Sequence, residues 1–252
     1  MTVAVAYKYA ANPQDANVRS DGSVDWSRAK AAVSDYDPVA VEVGRKLAEA
    51  AGAELVGISV GGKNLSSSMA KKNAMSKGLD RGLILSDEAT TSWNSAKIAS
   101  ALAELAKQAE AEVVLTGDSS IDEGVGVMSA LVAGYLGWPC FQEVVSITPA
   151  DGGYEIVQAV GGGTRTLTVS GNVVVSVATD AAPVKVPSMK DILAAGKKPV
   201  EVVAADAVSA APVEVEVTGT ETPAVKDRKN QVYTGEEAVA ELVGALRSEG
   251  VL

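Results

Sequence analysis

The stretch from Val113 to Pro139, VVLTGDSSIDEGVGVMSALVAGYLGWP, constrains this chain more than any other. A short β-branched run, Val113 to Leu115, turns through small and acidic residues, Thr116 to Glu123. It then enters a Gly- and Ala-rich helical pattern that ends near Gly137-Trp138-Pro139. A strand that delivers a small-residue loop onto a helix start is where α/β sheets hold phosphates. The first N–H groups of a helix have no partner within it, and the helix dipole favours an anion there. Gly124 and Gly126 would let a ligand approach that backbone. The same strand–turn–helix pattern also serves as a purely structural connection.

The rest of the chain supplies the units that such a strand needs on either side. Val3-Ala4-Val5-Ala6-Tyr7 reads as a buried first strand, and Asn17 to Trp26 as a hairpin around Asp21-Gly22. Asp37 is placed to cap a helix with Pro38 in its first turn, and Val39, Val43, Leu47 and Ala50 recur at helical spacing until Gly52. Glu54 to Val60 is a strand, Leu65 to Lys77 a helix closed by Gly78, and Gly82 to Leu85 a short strand. Trp93 to Glu110 is a helix with an inner stripe of Ile98, Leu102, Leu105 and Ala109. This alternation predicts a doubly wound, mainly parallel α/β sheet.

Beyond Pro139 the pattern changes. Phe141 to Thr148, Tyr154 to Val160, Thr164 to Val169 and Val173 to Ala178 read as four strands of an appended β-meander, with turns at Gly152-Gly153 and Gly161 to Gly163. Pro187-Ser188-Met189-Lys190 opens a short helix to Ala195. From Lys197 to Asn230 the composition shifts to Val, Glu, Thr and Pro and reads as an extended arm. Thr234 and Glu237 form a capping box for a last helix with Val239, Leu242, Val243 and Leu246 on one face. The expected division is therefore an α/β domain with its meander over 1–196, and an arm plus helix over 197–252 that docks on a partner.

Composition excludes several classes of chemistry. The chain of 252 residues contains no histidine, which removes Ser-His and Cys-His catalysis and the commonest metal ligand. Cys140 is the single cysteine, so there is no disulfide framework; it reads as a small buried hydrophobe, and Trp138 as a packing residue. A net charge of −10, with basic residues clustered only at Lys71-Lys72, Lys197-Lys198 and Lys226 to Lys229, argues against nucleic acid. No apolar run is long enough to insert in a membrane, and no leader pattern follows Met1, so a cytoplasmic protein is expected.

Several pieces in order and spacing carry a family resemblance. They are Ala6-Tyr7-Lys8, Asp35-Tyr36-Asp37 before Ala40-Val41-Glu42, Ser59-Val60-Gly61-Gly62, Gly78-Leu79-Asp80-Arg81, the Gly117-to-Pro139 unit, and Thr179-Asp180 ahead of Pro187-Ser188-Met189-Lys190. Together they span nearly the whole chain, which resembles the β subunits of electron-transfer flavoproteins, in particular the Fix-type branch. The resemblance implies a heterodimer with an α subunit that holds FAD. It implies AMP in this subunit as a structural nucleotide, or a second FAD in electron-bifurcating members. It also implies electron transfer from a flavin dehydrogenase to a quinone reductase or ferredoxin-type acceptor, with no bond chemistry and no catalytic residue of its own.

The family's nucleotide contacts fall here on Ala6, Tyr36, Asp37, Val60 and Asp122, and on Gly124, Val125, Gly126, Val127, Met128, Ser129, Ala130 and Leu131. The adenine would lie against Ala6 and Val60, with the phosphate on the amides around Gly126 to Ala130. Members usually carry Thr and Gln in the stretch after the Asp; here Ser129 is the only hydroxyl, which favours AMP over a second FAD. The segment Ala181 to Val186 is short and lacks the leucine with which mitochondrial-type members anchor a dehydrogenase, so that partner should be held differently. Asp122 has a plainer reading as the cap of the following helix, and Asp80-Arg81 as a solvated turn. Rival functions are a stand-alone adenine-nucleotide-binding regulatory domain and a nucleotide hydrolase. The hydrolase lacks both a histidine and a Walker-type Lys-Ser/Thr.

Overall fold

A computed structural model of the chain describes residues 1–211, 215–216, 218–219 and 224–252. Two compact units are present, one ending at Glu216 and one occupying the remainder to Leu252. In the first, the chain runs through β1 (Thr2–Ala6), β2 (Tyr9–Ala11), β3 (Asn17–Val18), β4 (Val24–Asp25), β5 (Ala31–Val33), α1 (Asp37–Ala51), β6 (Glu54–Gly61) and α2 (Ser68–Met75). It continues through β7 (Arg81–Ser86), α3 (Ser95–Gln108), β8 (Val113–Gly117), α4 (Met128–Leu136), β9 (Cys140–Ala150), β10 (Gly153–Val160), β11 (Gly163–Ser170), β12 (Val173–Val177), α5 (Met189–Ala195) and β13 (Val200–Val203).

Nine strands form one sheet in the order β11-β10-β9-β12-β8-β1-β6-β7-β13. From β9 through β12 to β13 every pairing is parallel, whereas β9, β10 and β11 are antiparallel. The chain is thus a doubly wound α/β fold. Alternate residues of each central strand go to opposite faces. Val3, Val5, Leu55, Leu115 and Val175 pack with Val39, Val43 and Leu47 of α1 and Met75 of α2. Ala4, Ala6, Val56, Ile58 and Val114 pack with Leu102 and Leu105 of α3 and Val132 of α4.

The helix α1 leads from β1 to β6 on one side, and α3 leads from β7 back across to β8 on the other. Strand order therefore reverses between β1 and β8, the place where open α/β sheets leave a crevice at the strand ends. Gly52 and Gly137 close α1 and α4 in the left-handed conformation, with φ of 62° and 69°.

Four details differ from the sequence reading. Strand β12 does not continue the meander: it inserts between β8 and β9, parallel to both, and all five of its residues are buried. A near-continuous apolar run is the mark of a strand covered on both faces, and Val173 to Val177 is one, with Ser176 its single polar residue, also buried. Strand β13 pairs with β7 as the sheet's edge, so this part of the expected arm belongs to the sheet. Lys198 fixes its approach, donating to the carbonyls of Met75 at the end of α2 and Leu79 just beyond it. Residues 63–66 form a separate 3-10 turn, and α2 begins only at Ser68, with the Ser67 hydroxyl as its cap. In the second unit, α6 (Ala238–Ser248) starts after Glu237 without a side-chain cap, so the Thr234–Glu237 box does not form. The hairpin around Asp21-Gly22 forms, and so does the short helix expected after Pro187, as α5; sequence reasoning missed its Ser188–Asp191 capping box.

Candidate functional site at the strand ends

The carboxyl ends of β1 and β8 are stitched to the start of α1 by one buried carboxylate. Asp37 accepts the backbone N–H of Lys8 at 2.7 Å, and the N–H of Gly117 also faces it. It does not cap α1: Tyr36 occupies the cap position, and no side chain bonds the helix start. Burial pushes the Asp37 carboxyl up to about 7, against the pull of those two amides and of the Lys8 and Lys77 charges. Burial, helped by Asp37, likewise raises the neighbouring Tyr7 hydroxyl.

Gly117 is a requirement of this packing. A Cβ there would stand 2.7 Å from Asp37 Oδ1 and 2.9 Å from the Tyr36 backbone carbon. Ser34, also buried, completes the arrangement. Its N–H donates to the Lys8 carbonyl at 2.9 Å, and its hydroxyl accepts the N–H of Ile121 at 3.3 Å. On the far side of β1, the Ser59 hydroxyl donates to the Tyr7 carbonyl at 2.6 Å.

From Gly117 the chain crosses the crevice as the loop 118–127. Asp122 is held by the Lys8 ammonium at 2.7 Å, and Glu123 by the same ammonium at 3.3 Å. Burial works against the Asp122 charge, but the Lys8 hydrogen bond and charge and the Ser120 hydroxyl outweigh it, and the carboxyl lies below its ordinary range. Its other oxygen, Oδ1, is buried and closes no hydrogen bond among the described residues. Asp122 is therefore an anchor on Lys8 and not the cap of α4, which begins six positions further on.

Gly124 and Gly126 then take φ of 65° and 68°, a region that side chains other than glycine rarely adopt. Open space surrounds Gly124 where a Cβ would stand. Helix α4 starts at Met128 with no side-chain cap, and its first intrahelical acceptor, the Val127 carbonyl, serves Leu131. The N–H groups of Met128, Ser129 and Ala130 thus have no acceptor within the helix, beside exposed Gly124 to Val127.

The expected contact residues divide into groups. Ala6 and Val60 lie at the ends of adjacent strands and on the same face of the sheet, with Met128 and Leu131 of α4 packed on that face too. Tyr36 leans on Gly117. Asp37 is committed to backbone amides. Gly124, Val125, Gly126, Val127 and Ala130 are exposed. Ser129 is buried, and its hydroxyl accepts from the Gln142 side chain at 3.3 Å. Asp80 and Arg81 are not a free turn: Asp80 accepts the Leu55 N–H at 2.9 Å, and Arg81 bonds Glu54 at 3.0 Å, tying β6 to β7.

Residues 22–208 match the family model of the electron transfer flavoprotein domain. The chain belongs to the electron transfer flavoprotein family. The matched span runs from the small hairpin through β13, and so takes in the start of α1, the glycine loop and α4. Members of this family are flavin-associated electron carriers. In this electron transfer flavoprotein chain, sequence reasoning missed Lys8, Ser34 and Gly117 as site residues. A lysine directly after a buried strand was the available signal for Lys8. Nothing local marks Ser34 or Gly117, whose roles arise only when β1, β8 and α1 meet. Among the described residues, no helix is long and apolar enough to cross a membrane.

Proposed function

We propose that this chain is the β-type subunit of a heterodimeric electron-transfer flavoprotein of the Fix-type branch. Its α-type partner holds FAD, and AMP binds here as a structural nucleotide at the carboxyl ends of β1, β6 and β8. One observation carries the reading: the matched family domain includes an open, glycine-rich entry to an uncapped helix at the strand-order reversal. Main-chain N–H groups of Met128 to Ala130 would hold the phosphate, with Ala6 and Val60 against the adenine. Bound FAD in the partner supplies the redox chemistry; this chain's residues bind and orient.

A monophosphate fits these residues better than the diphosphate of a second FAD. Gly124 to Val127 offer no polar side chain, and the Ser129 hydroxyl is turned to Gln142. In this reading the carrier passes electrons from a flavin dehydrogenase to a quinone- or ferredoxin-linked acceptor in the cytoplasm. Of the expected arm, residues up to 211 pack on this unit, with Val208 in the α3 cluster and the Ala211 N–H on the Ser100 hydroxyl. Residues 212–214, 217 and 220–223 lie outside the described residues, and the part from 224 to 252 would reach the partner subunit. A stand-alone nucleotide sensor remains the rival, and it predicts a chain that needs no partner.

The test is co-expression with the α-type subunit, purification of the complex, release of bound nucleotide by denaturation, and quantification of FAD and AMP. One FAD and one AMP per heterodimer is expected. Two FAD and no AMP would overturn the nucleotide assignment. A chain that stays monomeric, with no flavin in any complex, would overturn the subunit assignment.

A further inference from the structure

Lys8 is fixed at both ends of its own peptide unit. Its N–H goes to Asp37, and its carbonyl accepts from Ser34. Only the side chain is left to act, and it reaches across the crevice to Asp122 at 2.7 Å and Glu123 at 3.3 Å. The loop is otherwise tied to this end of the sheet through the Ile121 N–H on Ser34. Immediately after these two ties come Gly124 and Gly126, whose positive φ values carry the chain into α4. The first amides of α4 are therefore placed by where Lys8 holds Asp122 and Glu123. The same ammonium offsets two carboxylates that stand only a few residues before the helix start, where an anion would otherwise be repelled. Asp122 is the shielded member of this cluster, 21 % exposed against 37 % for Lys8 and 60 % for Glu123, so its contact with Lys8 is the firmer of the two.

We propose that Lys8 is a positioning residue for the nucleotide phosphate. It acts through Asp122 and Glu123 to set the glycine loop and to quench its negative charge, without itself touching the ligand. The inference rests on the nucleotide reading given above. In this proposal the effect of the ammonium on a phosphate passes through the two carboxylates that share it. This separates Lys8 from a direct phosphate ligand, and a mutant cycle measures the difference.

The experiment uses the full chain in complex with its α-type subunit, stripped of nucleotide, with AMP as the titrant in calorimetry. Lys8→Met is expected to weaken AMP about tenfold, and Lys8→Arg to stay within about threefold of the unaltered complex, since it keeps the charge. In a background of Asp122→Asn with Glu123→Gln, Lys8→Met is expected to have no further effect. An equal loss in both backgrounds, or no loss in the first, overturns the proposal. Should Lys8→Met not fold, Asp122→Asn probes the contact from the loop side. Amide exchange over 119–127 is then expected to accelerate while the central strands keep their protection, and unchanged exchange overturns the proposal. If the unaltered complex fails to bind AMP, the nucleotide reading itself falls, and this inference with it. If the unaltered complex binds and Lys8→Met binds equally well, only the inference falls.

Discussion

The two halves of the sheet obey different rules. The parallel half, β12-β8-β1-β6-β7, is covered by helices on both faces, and its strands are runs of buried residues: all five of β8 and all five of β12. The antiparallel extension formed by β9, β10 and β11 alternates instead, and every residue of β11 is exposed or half-buried. Its glycines show the same contrast. A Cβ on Gly117 in β8 would strike Asp37 and Tyr36, whereas around Gly161 and Gly163 in the β10–β11 turn there is open space. A covered parallel sheet leaves its polar strand ends as the place to build a site, and the candidate site lies there. The antiparallel extension has a rim but no such crevice.

The largest expected difference between the halves is a pH response between about pH 4 and 7 in the covered half. The folded Asp37 carboxyl titrates at about 7, against an ordinary value of 3.8. A carboxyl whose folded value is raised binds its proton more tightly when folded. Its contribution to stability is full below about pH 4 and is lost as the pH rises through about 7. Urea unfolding should show a loss on the order of 4 kcal/mol from this group across that window, and Asp37→Asn should remove it. An unchanged slope in Asp37→Asn would break the assignment.

Next in size are two paired substitutions. Leu115→Ala in fully buried β8 should cost about 3 kcal/mol, and Leu167→Ala in half-buried β11 under about 1 kcal/mol, both read as urea midpoints. Gly117→Ala should cost about 2 kcal/mol through its clash with Asp37 and Tyr36. Gly161→Ala, with no neighbour to meet, should stay within about 0.5 kcal/mol. Equal costs within either pair would erase the contrast between the halves.

The same contrast explains what could be read from the residues alone. Strands β1, β6 and β8 and helices α1 and α3 were legible because apolar spacing and glycine stops report directly on burial. Strand β12 was legible as a strand but not in its place: Val173 to Val177 follows the meander in the chain, and only its near-continuous run of valines, interrupted by Ser176, distinguished a buried central strand. Strand β13 was illegible, because Val200-Glu201-Val202-Val203 is an edge strand with two exposed residues and a weak pattern. The loop and helix of the site were visible as a glycine-rich entry to α4. The partners inside it were not. Asp37 next to Pro38 has every local mark of a helix cap, yet its carboxylate serves amides at Lys8 and Gly117, far off in the chain. Ser129 reads as a phosphate ligand until Gln142, on the following strand, claims its hydroxyl.

The most direct test of the whole account is amide exchange of the nucleotide-stripped heterodimer with and without AMP. Protection is predicted at the start of α4, from Val127 to Leu131, and at the loop beside Lys8, with no change in the β10–β11 hairpin. Protection confined to the hairpin, or none anywhere on this chain, would contradict a nucleotide site at the ends of the parallel strands.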